Sequence, residues 1–177
     1  MTHTADDRVA LPAPGGYTID AGRSTVTFAT RHFFGLGAVR GTFSLSSGQV
    51  HVAADPTQSS ATAVIDAGSF ATGNDTRDKV VRSSKYLDVA TYPRISFVST
   101  AVREAGAGYV VLGELTVKAA ARPVELAVEK PAPEAGGIRF KATTRIDRYE
   151  FGITADKGMT ARYLTLSLDI LIAPAAA

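Results

Sequence analysis

The sequence predicts an all-β protein, an extended antiparallel barrel of about eight strands with one short helical insertion near residues 75–88. Three observations carry this prediction. Apolar residues recur at every second position over most of the chain, and Gly-rich turns such as Glu104 to Gly108 and Glu134 to Gly137 separate the runs. A single internal stretch breaks that period and carries helix-capping residues instead. Because long antiparallel sheets curl to remove their edges, closure is expected.

The elements follow in chain order. Residues 1–16 mix Asp6, Asp7 and Arg8 with prolines and glycines and are expected to form a disordered tail. The domain is expected over residues 17–172, with a second short tail over 173–177. From Thr25, the residues Val26, Phe28, Thr30 and His32 share one strand face. Val39, Gly41, Phe43 and Leu45 alternate with Arg40, Thr42 and Ser44, and Gly48-Gln49 puts a bend before Val50 and Val52. Further strands are predicted over Ala61–Ile65, Ile95–Thr100, Tyr109–Val117, Val124–Val128, Ile138–Ile146 and Tyr163–Ile172. The last is the plainest. Leu164, Leu166, Leu168, Ile170 and Ile172 face one way, while Thr165, Ser167 and Asp169 face the other. Between Asp66 and Tyr92, Asn74 or Asp75 can cap a short helix with Arg82 and Lys85 late in it. Tyr92-Pro93 then restarts extended chain. An insertion of this size is expected at a barrel rim, where it can cover the mouth.

Composition narrows the function. The chain has 177 residues, 45% hydrophobic and 20% charged, with a formal net charge of +2 and no Cys. Disulfides, thiolate catalysis and sulfur-bound zinc are excluded. Dispersed basic residues give no nucleic-acid groove. No apolar run approaches the roughly 18 to 20 residues of a spanning helix, and none near the start suits a secretory signal, so a cytoplasmic location is expected. His3, His32 and His51 lack metal-ligand spacing. Gly35, Gly37 and Gly41 join two strands and read as turn glycines, not a dinucleotide loop. No nucleophile elbow or phosphate loop occurs. No catalytic residue, metal or required cofactor is therefore assigned.

Polar residues remain on an apolar barrel: His32, Thr72, Asn74, Arg77, Asp78, Arg82 and Arg148. His32 is either a satisfied histidine at a strand end or a head-group contact. Arg77 and Asp78 read as a surface ion pair on a helix, worth under about 1 kcal/mol when exposed. Phe28, Phe43, Phe97, Phe140 and Phe151 suit a packed core or the lining of a tunnel, as in lipocalins. Periodicity leaves both readings open.

An ordered series runs from Tyr17-Thr-Ile-Asp20 through Val26, Phe28, His32, Gly41, Phe43 and Gly48 to Thr72-Gly73-Asn74 and Arg77-Asp78. Ser84-Lys-Tyr-Leu-Asp88, Tyr92-Pro93, Phe97, Gly113-Glu-Leu-Thr116, Pro123-Val124 and Arg148-Tyr-Glu-Phe-Gly152 complete it. As a whole this pattern resembles the YceI family of lipocalin-like polyisoprenoid-binding proteins. Two departures stand out: Ala119-Ala120-Ala121 replaces a Gly-Val-Thr-like turn, and the His32 to Gly41 connection is a residue longer than the common form. The absence of a visible export signal is a third, since many relatives carry one.

The resemblance implies a bound long-chain polyisoprenoid or isoprenoid quinone, carried or sequestered without chemistry. Phe28, Phe43, Phe97, Phe140 and Phe151 would line the tunnel. His32, Asn74, Arg77 and Arg148 would meet the head group, and Asp78 would orient Arg77. Two alternatives are an enzyme acting on an isoprenoid-like substrate with His32 as acid or base, and a filled barrel serving in stress or protein interaction. The partner is then an isoprenoid lipid, with no nucleic acid and no stable membrane insertion. A homodimer is compatible with the resemblance.

Overall fold

The computed structural model describes residues 12–30 and 37–176. In chain order its strands are β1 (Gly15–Ile19), β2 (Thr25–Ala29), β3 (Arg40–Val52), β4 (Ser60–Ala71), β5 (Arg94–Ala105), β6 (Gly108–Val117) and β7 (Ala120–Val128). They continue as β8 (Ala132–Glu134), β9 (Gly137–Asp147) and β10 (Tyr163–Pro174), and one helix, α1 (Asp75–Arg82), follows β4. All pairings are antiparallel. β3 through β7 form a meander, β7 meets β9, β9 meets β10, and β10 returns to β1 and β2. β1 and β2 both lie between β10 and β3 and act as one interrupted stave, so the barrel has eight positions. Between them a turn of 3-10 helix at Ala21–Arg23 is capped by the Asp20 carboxylate, which accepts the Arg23 N–H at 3.2 Å.

Inward positions follow the predicted alternation because one face of each strand must leave water. On β3 the bend predicted at Gly48 is a register shift between Leu45 and Ser47 within one continuous strand. The extra residue returns Gly48, Val50 and Val52 to the inner face. β7 and β9 pair only at Ala127–Thr143 and Val128–Ala142, the weakest seam of the barrel. Pro123 sits on this loosely paired strand, where a missing N–H is tolerated.

Several predicted boundaries move. β4 runs on to Ala71 and β5 to Ala105, because their neighbours offer backbone partners beyond the apolar runs. β1 takes in Gly15 and Gly16, and Pro12 is buried, although the sequence places all three in the tail. At the other end β10 extends to Pro174. The predicted helix over 75–88 stops at Arg82, since the Ser83 hydroxyl donates to the Val80 carbonyl at 2.5 Å and Ser83 itself is extended. Tyr86 and Leu87 then turn inward as buried residues. Asn74 is the cap, its side-chain oxygen accepting the Arg77 N–H at 3.0 Å.

Candidate functional site

A cavity of about 420 Å³ occupies one half of the barrel. Its rim is formed by Pro12 to Pro14, by Ala53, Ala54, Pro56, Ser59 and Ser60 where β3 connects to β4, and by Tyr109 at the start of β6. From there the inner faces of all the staves line it down to one level, marked by Val26, Leu45, Ile65, Phe97, Leu115 and Leu166. The polar residues that reach it are Ser59, Ser60, Thr62, Tyr109 and Thr144, all hydroxyl-bearing. Among the described residues no charged side chain lines it.

Below that level the barrel is filled. Phe28 stacks on Phe70 with centroids 5.1 Å apart, and Phe43 packs against both at 5.7 and 5.5 Å. Tyr86, Leu87, Val117, Phe151 and Ile153 extend this buried cluster. The Phe28 ring lies over Gly41, where a Cβ would stand 2.4 Å from Cζ, so only glycine admits the stack. Helix α1 packs on β4 at this filled end, away from the cavity rim. The prediction that the insertion covers the mouth is thus corrected: the end it covers is closed by aromatic side chains.

This division separates the ten residues expected at the ligand. Phe97 and Phe140 line the cavity. Phe28, Phe43 and Phe151 do not, because their positions on the chain fall past its floor. His32 lies outside the described residues. Asn74, Arg77, Asp78 and Arg148 are gathered at the filled end and none lines the cavity. Asn74 and Arg77 are exposed, whereas Asp78 and Arg148 are buried.

Arg77 and Asp78 meet through Thr72, not as the direct pair suggested by helix spacing. The Asp78 carboxylate accepts the Thr72 N–H at 3.0 Å on each oxygen and the Thr72 hydroxyl at 2.5 Å. Arg77 Nε in turn donates to that hydroxyl oxygen at 2.9 Å. These bonds join the end of β4 to α1. Arg148 donates from Nε to the Ala161 carbonyl at 2.8 Å, from Nη1 to that of Ile153 at 2.8 Å, and from Nη2 to that of Thr160 at 3.2 Å. Its guanidinium therefore clamps the loop between β9 and β10. Tyr86 fastens the same loop by donating to Asp156 at 2.6 Å, and Lys85 pairs with Asp156 at 2.9 Å.

The Thr72 hydroxyl and N–H, with Arg82 and Arg77 nearby, hold the Asp78 carboxyl below the usual carboxylate range, against the opposing effect of burial. A depressed folded pKa stabilises the fold above the unfolded value near about 4, and that stabilisation disappears as pH falls through the folded value. Asp78→Asn should accordingly be less stable at pH 7, and its deficit relative to wild type should shrink below about pH 4. Urea denaturation of both proteins across pH checks this. A deficit independent of pH would contradict it.

Sequence reasoning missed much of the lining. Ala61, Ala63 and Ala142 face the cavity, and their small volume leaves interior space unfilled. A count of small residues at inward positions is the signal that could have located the void. Pro12 to Pro14 carried no such signal, because they reach the rim only through the pairing of β1.

Comparison with known proteins agrees with this architecture. A family model described as YceI-like domain matches residues 17–172. A UPF0312 protein of Yersinia pestis is 33% identical over 121 residues, an alignment covering 66% of this chain and 63% of that protein. The chain thus spans less than two thirds of the length of such curated relatives. The crystal structure of BcnA from Burkholderia cenocepacia superimposes with a TM-score of 0.78 at 28% identity, covering 88% of this chain and 99% of that one. A polyisoprenoid binding domain from Saccharophagus degradans superimposes with a TM-score of 0.67 over 90% of this chain and 98% of its own, and at 17% identity it shows shared fold alone. With the family model covering the whole barrel from β1 almost to the end of β10, the chain belongs to the YceI-like family.

Proposed function

We propose that the protein holds the hydrocarbon chain of a polyisoprenoid lipid or isoprenoid quinone in its cavity, as a carrier or sequestering protein that performs no chemistry on it. The observation that carries this reading is the apolar hollow itself, about 420 Å³, reaching the rim and lined without charge among the described residues. Its size lies in the range of about 300 to 1,000 Å³ typical of small-molecule sites. Each buried CH2 contributes about 0.8 kcal/mol, so a few prenyl units supply strong binding without a polar anchor. The polyisoprenoid binding domain with the same fold supports the choice of ligand class.

In this reading the tail enters from the rim and the head group stays near Tyr109, Ser59 and Ser60. The hydroxyls offer hydrogen bonds to an alcohol or quinone oxygen but no charge-assisted pairing. A binding role is favoured over catalysis because these hydroxyls come without an adjoining base among the described lining residues. The test is titration of the full chain with a polyprenol and with an isoprenoid quinone in detergent-free buffer, followed by transfer of bound quinone to acceptor vesicles. Saturable one-to-one binding and transfer are expected. Absence of saturable binding for both would overturn the proposal.

A further inference from the structure

We propose that Phe97 is the floor of the cavity and sets the length of prenyl chain the barrel accepts, an inference that rests on the isoprenoid-binding reading above. On β5, Phe97 lines the cavity, whereas Ile95, two positions deeper on the same face, does not. On β6, Leu115 lines it and Val117 does not; on β10, Leu166 lines it and Leu164 does not. The hollow therefore ends at one height on separate staves. Phe97 is the largest side chain at that height, and it belongs both to the lining and to the buried cluster underneath.

The ring is held there by an absence on the neighbouring strand. A Cβ at Gly113 would stand 2.4 Å from both Cε2 and Cζ of Phe97, so the ring occupies the space that any side chain at 113 would need. Beneath it the stack of Phe28 on Phe70 closes the next level. The floor is thus a seated ring above a packed plug, not a side chain free to swing aside.

The depth follows from strand geometry. From Tyr109 at the rim to Leu115 at the floor is six residues, about 20 Å along the strand and about 15 Å along the barrel axis for a tilt near 40°. An extended prenyl unit has four backbone carbon–carbon bonds of about 1.5 Å each and advances by about 5 Å. About three units then fit between rim and floor. Further units must project past the rim, where they bury less surface and gain less.

Two substitutions move the floor in opposite directions. Phe97→Ala removes the ring and deepens the hollow to the level of the aromatic stack. Gly113→Ala, whose Cβ would also stand 2.7 Å from the Val98 carbonyl oxygen, forces the ring off the β6 wall into the hollow and makes it shallower, the melting of this variant showing what the backbone contact costs.

The experiment measures the affinity of the full chain for prenols of two to eight units, with thermal melting of each variant to establish folding. For wild type, affinity should rise by at least about tenfold per unit up to about three or four units and then change by less than about twofold per unit. Phe97→Ala should shift that break to longer chains by one unit or more, with Phe97→Leu giving a smaller shift in the same direction if the alanine variant does not fold. Gly113→Ala should shift the break to shorter chains. A wild-type affinity that climbs through the whole series, or a break unmoved in a folded Phe97 variant, would overturn the floor while leaving the carrier reading intact. No saturable binding at any length would overturn the carrier reading, and the floor with it.

Discussion

Arg148→Ala should lower the stability of the protein by about 3 kcal/mol or more, the largest loss expected from any single polar substitution here. The guanidinium is buried and donates to three backbone carbonyls, those of Ile153, Thr160 and Ala161. Hydrogen bonds to a charged group contribute about 1.5 to 3 kcal/mol each, and alanine leaves all three carbonyls, that of Ile153 in a buried bond, without their guanidinium donor. The loop they belong to also carries Asp156, the partner of Tyr86 and Lys85, so its release should uncover the aromatic plug. Arg148→Lys should recover less than half of the loss, because an ammonium lacks the planar fork that spans separate acceptors. Equilibrium unfolding in urea measures both. The resemblance to carrier proteins placed Arg148 at a ligand head group, and the two roles predict different results. A variant as stable as wild type but at least tenfold weaker for prenol would contradict the clamp.

Filling the cavity should have the largest effect on binding. Ala142 lies on β9, faces the hollow, and is opposite Leu168 of β10 and Val128 of β7. Ala142→Phe would place a ring in the path of any chain entering from the rim. A hollow of about 420 Å³ admits that ring without the strain of an overpacked core, so stability should change by less than about 1 kcal/mol in either direction. Affinity for a prenol should fall at least about a hundredfold, the equivalent of some 2.7 kcal/mol. Calorimetric titration alongside thermal melting checks the pair of outcomes. Unchanged affinity in a folded variant would mean that ligand sits elsewhere.

What the sequence makes legible is the face of each residue, and what it hides is height. The alternation from Leu164 to Ile172 identifies the inner face of β10, and the same reasoning puts Phe28, Phe43, Phe97 and Phe140 inside. Yet Phe97 borders the void while Phe28 fills the plug, and nothing within either strand distinguishes them. The distinction arises from the stagger of neighbouring strands, which fixes the level at which each inward residue arrives. Gly41 and Gly113 act similarly: each gives its space to a ring on the next strand, a relation visible only after pairing.

The polar residues were harder to place for a different reason. Local spacing narrows the helix cap to Asn74 or Asp75, and Asn74 is the one used. The family resemblance implies a head-group contact for Arg148 and an Arg77-orienting role for Asp78, while helix spacing alone suggests a surface ion pair of Arg77 with Asp78. The partners of Asp78 and Arg148 are Thr72, six residues back in the chain, and the carbonyls of a loop that folds over the barrel end. Charge was the visible property, whereas the hydrogen-bond geometry that consumes it depends on tertiary contacts. The short strands β1 and β8 escaped for a similar reason, since pairing rather than hydrophobic period defines them.

The most direct test of the central claim is mass analysis of the full chain, freshly purified without detergent, under native conditions and again after extraction with organic solvent. The account predicts one noncovalent hydrocarbon ligand per chain, released by solvent and identified as a prenyl lipid or quinone, and its loss in Ala142→Phe. Reproducibly empty wild-type protein that also fails to take up added prenol would contradict it.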